Sequence, residues 1–225
     1  MELQPDSAAD LTQSPIASSQ PDGALTALRR FAKSRPEVER CDLCGATLNT
    51  QHPHLLDCKS RHIVCSCDAC AILFSGQEGA KFLYVPRRIL KPQSFRFTDA
   101  EWDSMMLPIN LAFFIRQPNG DAAALYPSPA GVMESMIQLP PWDRLFASDT
   151  ALLEMQPEVE ALLINRIGDA NASFVVPIDV AYRLVGIIRT RWRGLSGGAD
   201  VWQAISTFFA DLDRQALPLR EGSHA

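Results

Sequence analysis

Two stretches decide how the chain is read: CDLCG at 41–45 and RHIVCSCDACAILF at 61–74. They hold five of the six cysteines, and Cys58 lies between them. Cys41 and Cys44 sit three positions apart, and Gly45 follows. Two thiolates at that spacing grip one tetrahedral ion, and a glycine after the second lets backbone amides turn toward sulfur. Cys67 and Cys70 repeat the spacing, and the 23 positions from Cys44 to Cys67 leave room for a small hairpin. Extended pieces are expected over 54–57 and 61–65. Asp68 favours a short helix opened by the second pair, because a carboxylate is stabilised beside unpaired amides. The expected module is a knuckle, a hairpin and a helix that bring Cys41, Cys44, Cys67 and Cys70 around one ion, like a zinc ribbon or a treble clef.

Clustered thiols in a reducing compartment point to metal or redox chemistry. Four thiolates fit zinc or iron in geometry. Zinc needs no electron partner and its binding contributes folding energy, so one zinc per chain is the expected cofactor. A rubredoxin-like iron is the alternative. Rubredoxins usually carry a glycine after the second thiolate of each pair, whereas Ala71 follows Cys70 here. Cys58 and Cys65 are expected as small buried hydrophobes, and His52, His54 and His62 as surface or hydrogen-bonding residues. Two alternatives stay open. The remaining thiols and imidazoles can hold a second ion, or Cys58, Cys65 or His54 can replace one of the four ligands.

Around this module the composition is that of an ordinary globular protein. The 225 residues make one large domain or two small ones, with 47% apolar and 21% charged residues. The net charge is -5, and Glu2, Asp6, Asp10 and Asp22 fall in the first 23 residues, which contain no Lys or Arg. The rest is nearly neutral, which excludes a general electrostatic nucleic-acid binder. No run of about 18 apolar residues marks a membrane span. The start, MELQPDSAADLTQSPIASSQPDG, has neither the basic head nor the apolar run of a secretory signal. A cytoplasmic protein without membrane insertion is expected, with its thiols reduced.

Residues 1–22, rich in Ser, Ala, Gln, Pro and Asp, are expected to form a disordered lead. A helix over 23–34 joins the cysteine module in a unit spanning 23–80. An α+β body follows over 81–216, and a flexible tail over 217–225. In the body, LAFFIR (111–116) predicts a strand, Asn119-Gly120 a turn, and AAALY (122–126) its hairpin partner. YPSPAG (126–131) is expected to be irregular. Asp99 starts a short helix, and 157–166 carries features of both helix start and strand. SFVVPI (173–178) predicts a strand whose proline belongs at an edge or an end. A helix over 180–192 should turn Val180, Leu184, Ile188 and Trp192 to the core. Another over 199–216 has Val201, Ile205, Phe208, Phe209 and Leu212 as its apolar stripe. A hairpin-based sheet covered by C-terminal helices satisfies the need to bury one face of each element.

No convincing catalytic set emerges. His-Glu-x-x-His is absent, and His52-Pro53-His54 lacks the glutamate of a zinc deaminase. Ser128 lacks a nucleophile elbow and reads as a turn serine. Gly194, Gly197 and Gly198 precede a helix without a phosphate-loop lysine and read as a linker. Arg189, Arg191 and Arg193 around Trp192 combine the residue types of protein contacts, although basic residues also suit a helix C-terminus.

The order CDLCG, HLLD, RHIVCSCDACAILF, YVPRR, LAFF, YPSPAG, VVPID, VGIIRTRWRG and GGADVWQAISTFF resembles an uncharacterised bacterial family over residues 25–215. Members of that family are often encoded beside the subunits of high-affinity nickel-iron uptake hydrogenases. The resemblance implies help in assembling or maturing a hydrogenase or a similar metalloenzyme, or membership of its electron-transfer complex. It also implies that Cys41, Cys44, Cys67 and Cys70 hold the metal, and that YPSPAG and RTRWRG are contact segments for hydrogenase subunits. The expected function is a zinc-binding accessory protein that works through protein contacts. Behind it stand an iron electron carrier, a zinc- or thiol-dependent enzyme and, last, a nucleic-acid-binding finger.

Overall fold

LAFFIR is apolar on consecutive residues rather than alternate ones, the pattern of a strand covered on both faces. The computed structural model places it in the interior of a seven-stranded sheet. It describes residues 38–218 apart from 78, 93, 94, 138, 147 and 148. The expected lead over 1–22 and helix over 23–34 lie outside the described residues.

The protein is mixed α+β. In its first part come β1 (His54–Asp57), β2 (Ile63–Cys65), α1 (Asp68–Phe74), β3 (Phe82–Tyr84) and β4 (Leu90–Lys91). The middle holds α2 (Asp99–Ser104), β5 (Leu111–Arg116), β6 (Ala122–Ser128), β7 (Gly131–Glu134), α3 (Trp142–Leu145) and α4 (Thr150–Leu153). Last come β8 (Glu160–Asn165), β9 (Ala172–Pro177), α5 (Ile178–Arg191), α6 (Ala199–Gln215) and β10 (Leu217–Pro218). The small sheet has the order β2-β1-β3, and the large one β10-β4-β9-β8-β5-β6-β7. Among the described residues only β10 with β4 is a parallel pair.

Register sorts the side chains of the large sheet into two layers. Phe113 stands opposite Leu125 and Leu163, and Leu163 opposite Phe174. This row meets Leu184, Ile188, Ile205 and Phe208 of α5 and α6 in one core. One residue along, Phe114 stands opposite Ala124 and Leu162, and Leu162 opposite Val175. That row faces the second core, which holds Phe95, Trp102, Trp142 and Phe146. Trp142 and Phe146 are fully buried, with ring centroids 4.3 Å apart. Thr98 caps α2: its hydroxyl accepts from the Glu101 amide while the Glu101 carboxylate accepts from the Thr98 amide, so the cap lies one residue before the Asp99 start.

Several elements differ from the sequence-based expectation. YPSPAG is not irregular: β6 runs through Tyr126, Pro127 and Ser128 and pairs with β7. Beyond Leu125 this strand has lost β5 as a neighbour, so a residue without an N–H is tolerated there. Residues 160–165 are strand, because both faces of β8 find apolar cover. The four-residue line on α5 faces the core as expected: Leu184 and Ile188 are buried in it, and Val180 and Trp192 pack half-buried against it. Ile178, Ala181 and Val185 widen that face, because a helix advances about 100° per residue and a four-residue line drifts about 40° at each step. The α6 stripe is buried as expected.

The described residues from Glu39 onward form one compact unit. Leu56 of β1 and Val85 join the same core as Phe113 and α5. Arg61 pairs with Glu158, and His54 Nδ1 lies 2.6 Å from the Asp179 carboxylate at the start of α5. Arg88 grips the fully buried Glu160 with two bonds, 2.6 and 2.8 Å. Bidentate pairing of this kind offsets the cost of burying a carboxylate.

Phe113→Ala and Phe114→Ala should each lower unfolding free energy by about 3–5 kcal/mol in urea titrations, because each opens a cavity in a different filled layer.

Candidate metal centre

The cysteine module is built from short pieces that each have a local cause. At the knuckle, the Cys41 amide donates to Ala46 O and the Gly45 amide to Cys41 O, both at 2.8 Å. Gly45 has φ +75°, a backbone conformation that side chains with a Cβ rarely adopt. Asp42 locks the knuckle to β2, its carboxylate accepting from the Cys65 amide at 2.7 Å and its amide donating to Cys65 O at 2.9 Å. β1 and β2 then return the chain antiparallel, with His54 opposite Cys65. Cys67 stands at the N-cap of α1, and Cys70 lies in its first turn.

These pieces bring the Sγ atoms of Cys41, Cys44, Cys67 and Cys70 within 4.8 Å of one another. Cys44 and Cys67 sulfurs are 3.7 Å apart. A tetrahedron with metal–sulfur bonds of about 2.3 Å has edges of about 3.8 Å, so the cluster has the size of a four-thiolate metal site. Cys41 and Cys70 are buried and Cys44 is exposed.

The thiols hold their protons unequally. Burial pushes Cys41 up, but the amides of Cys67, Cys44 and Leu43 outweigh it and bring the thiol down to about 6. Burial pushes Cys70 up to about 12, reinforced by the Cys67, Cys44 and Cys41 thiols. At Cys44 the Ala46 amide favours the thiolate, and the Cys41 and Cys67 thiols outweigh it and raise the group. A metal cation must therefore displace protons from the cluster, so its affinity falls as pH falls.

The other thiols and imidazoles go elsewhere. Cys58 is half-buried and directs its thiol to Ala80 O at 3.7 Å. Cys65 lies instead with His52 and His54 in a second donor cluster. His62 belongs to neither cluster. Burial raises both Cys58 and Cys65. Asp179, in the first turn of α5, binds His54 across 125 residues.

The two expected contact segments meet at one place. An apolar cavity of about 440 Å³ is lined by Pro108, Ile109, Tyr126, Pro129, Trp192 and Trp202, among others. Trp192 and Trp202 stack edge to face with centroids 5.9 Å apart. Gly197 makes this packing feasible: a Cβ there would lie 2.8 Å from Val201 Cγ1 and 3.1 Å from the Trp192 ring. Ser128 is a turn serine, its hydroxyl donating to Gly131 O at 3.0 Å and accepting from the Ala130 amide at 3.1 Å.

Fold and site together define a mixed α+β protein with a cluster of four cysteines able to bind a metal ion. Among the described residues no helix is long and apolar enough to cross a membrane. The chain belongs to the family of unknown function DUF5947, whose model matches residues 40–216. No curated protein and no solved structure matches it.

Asp57 closes the turn after β1 and supplies a pH test. The Ser60 amide, then those of Lys59 and the Lys81 ammonium, hold its carboxyl down from 3.8 to about 2. A depressed acid stabilises the fold above its unfolded value, and the contribution disappears as pH falls through the folded value. Stability measured by urea midpoint should therefore drop between pH 3.8 and about 2, and Asp57→Asn should flatten that part of the curve.

Proposed function

We propose that Cys41, Cys44, Cys67 and Cys70 hold one zinc ion in a treble-clef-like module, and that the protein is an accessory factor acting through protein contacts. The observation that carries the metal reading is the convergence of four sulfurs within 4.8 Å from a knuckle and a helix start. A knuckle, the β1–β2 return and α1 follow one another in treble-clef order. Four protein ligands leave no open position, which is the mark of a structural site. Zinc suits that role because it has no redox chemistry and its binding free energy becomes folding free energy.

The accessory reading draws on the apolar cavity beside Trp192 and Trp202, where Tyr126 and the two indoles supply the aromatic chemistry of a protein-binding surface. The resemblance drawn from the sequence supplies the partner: subunits of a nickel-iron uptake hydrogenase, or of a similar metalloenzyme under assembly, in the cytoplasm.

Protein purified without added metal should contain tightly held zinc and no visible absorption. Cys41→Ser and Cys70→Ser should each remove one equivalent and lower the melting temperature. Iron with thiolate-to-metal absorption would overturn the reading in favour of electron transfer. Co-purification from the native host should recover hydrogenase subunits, and Tyr126→Ala or Trp202→Ala should reduce the yield at unchanged metal content. Hydrogenase subunits absent from the wild-type eluate would sink the accessory assignment.

A further inference from the structure

Beside the four thiols the fold assembles a second donor set. His52, His54 and Cys65 each present one donor atom within 4.8 Å of the other two. The outer partners of the two rings dictate their tautomers. His54 Nδ1 lies 2.6 Å from Asp179 Oδ2, and a carboxylate only accepts, so that nitrogen carries the hydrogen. His52 Nδ1 lies 2.9 Å from the Asn49 carbonyl, which also only accepts. In the neutral rings both Nε2 atoms are then bare lone pairs, and they face one another at 3.2 Å. Two acceptors at that distance repel unless a cation joins them. Two nitrogens on a tetrahedral metal with bonds of about 2.0–2.1 Å stand about 3.3–3.4 Å apart. A carboxylate or a backbone carbonyl on the far ring nitrogen is the support that metal-binding histidines have.

We propose that His52, His54 and Cys65 bind a second, zinc-type divalent cation through three protein ligands, with the fourth position open to a small anion. Two imidazoles and a thiolate suit a borderline cation, and three protein ligands are the number that leaves a position free. His52, His54 and Asp179 line a cavity of about 440 Å³ that also presents Arg87 and Arg183. Among the described residues neither arginine has an acidic ion-pair partner, and Arg183 rests over the Phe208 ring at 5.3 Å. Guanidinium groups placed there recognise a carboxylate or a phosphate held on the metal. The site shares no ligand with the four-cysteine cluster, so it stands or falls separately.

Equilibrium dialysis of the full chain against Zn2+, followed by metal analysis, should give two equivalents for wild type and one for His52→Ala, His54→Ala and Cys65→Ala. Cys41→Ala/Cys44→Ala should lose the other equivalent, and the metal retained in each variant reports that it is folded. Asp179→Ala should weaken the second equivalent about 10–100-fold and leave the first unchanged. A wild type that binds only one equivalent, or a His54→Ala or Cys65→Ala variant that still binds two, overturns the site and leaves a shared proton between the histidines. In the Co2+-loaded protein, inorganic phosphate or acetate should shift the visible spectrum, the stronger response naming the ligand class. Arg87→Ala/Arg183→Ala should need about tenfold more anion for the same shift. A spectrum that neither anion moves overturns the open position.

Discussion

The double-sided burial of β5 is the constraint on which the rest of the molecule depends. Phe113 and Phe114 are adjacent in sequence, and both are fully buried because they enter opposite layers. A one-residue slip would exchange the two rows across four strands. It would send Phe114 toward the helices α5 and α6 and Phe113 toward Trp142 and Phe146. The short segments between strands owe their positions to the second of these layers. α3 and α4 are only four residues each, too short to persist alone. They stay helical because Trp142 and Leu152 are buried against the sheet, where the Trp142 indole N–H donates to Leu152 O at 2.9 Å.

The cysteine module depends on that body as much as on any metal. Leu56 and Val85 plug into the helix-side core. Arg61 and Glu158, which pair across the junction, both hold positive φ angles, 60° and 65°. Each such conformation costs about 1–2 kcal/mol in a residue with a Cβ, so the surrounding packing must over-determine them. The contact between His54 and Asp179 is of the same kind, joining a strand of the module to the first turn of α5. Through it, the ring orientation at the second donor cluster is set by an element 125 residues away. The two donor clusters therefore differ in origin: the thiols converge through local turns, and the histidines through a long-range contact.

Much of this was legible beforehand where the signal was local. The Cys-x-x-Cys pairs name the four-sulfur cluster because three-residue spacing and a following glycine build a knuckle by themselves. LAFFIR, SFVVPI and the stripe of α6 are legible because their periodicity reports burial directly. YPSPAG misleads because proline argues against a strand only where both edges are paired, and the loss of β5 as a neighbour of β6 beyond Leu125 is a property of the whole sheet. The line Val180, Leu184, Ile188, Trp192 faces the core but omits Ile178, Ala181 and Val185, because spacing alone does not say how wide a face the neighbouring sheet and helix will cover. Cys65 lies two positions from Cys67, yet it points to a different set of partners. Alternation along β2 puts it on one face of the sheet, and only the register with β1 places His54 opposite it.

The sequence by itself determined the thiol cluster, the apolar strands and the two C-terminal helices, because each is written in contacts a few residues apart. Tertiary structure alone decided the strand order, the meeting of YPSPAG with Trp192 and Trp202, and the gathering of His52, His54, Cys65 and Asp179. Those arrangements arise when distant segments satisfy one another's apolar faces and polar atoms, and no local pattern records which segment will do so.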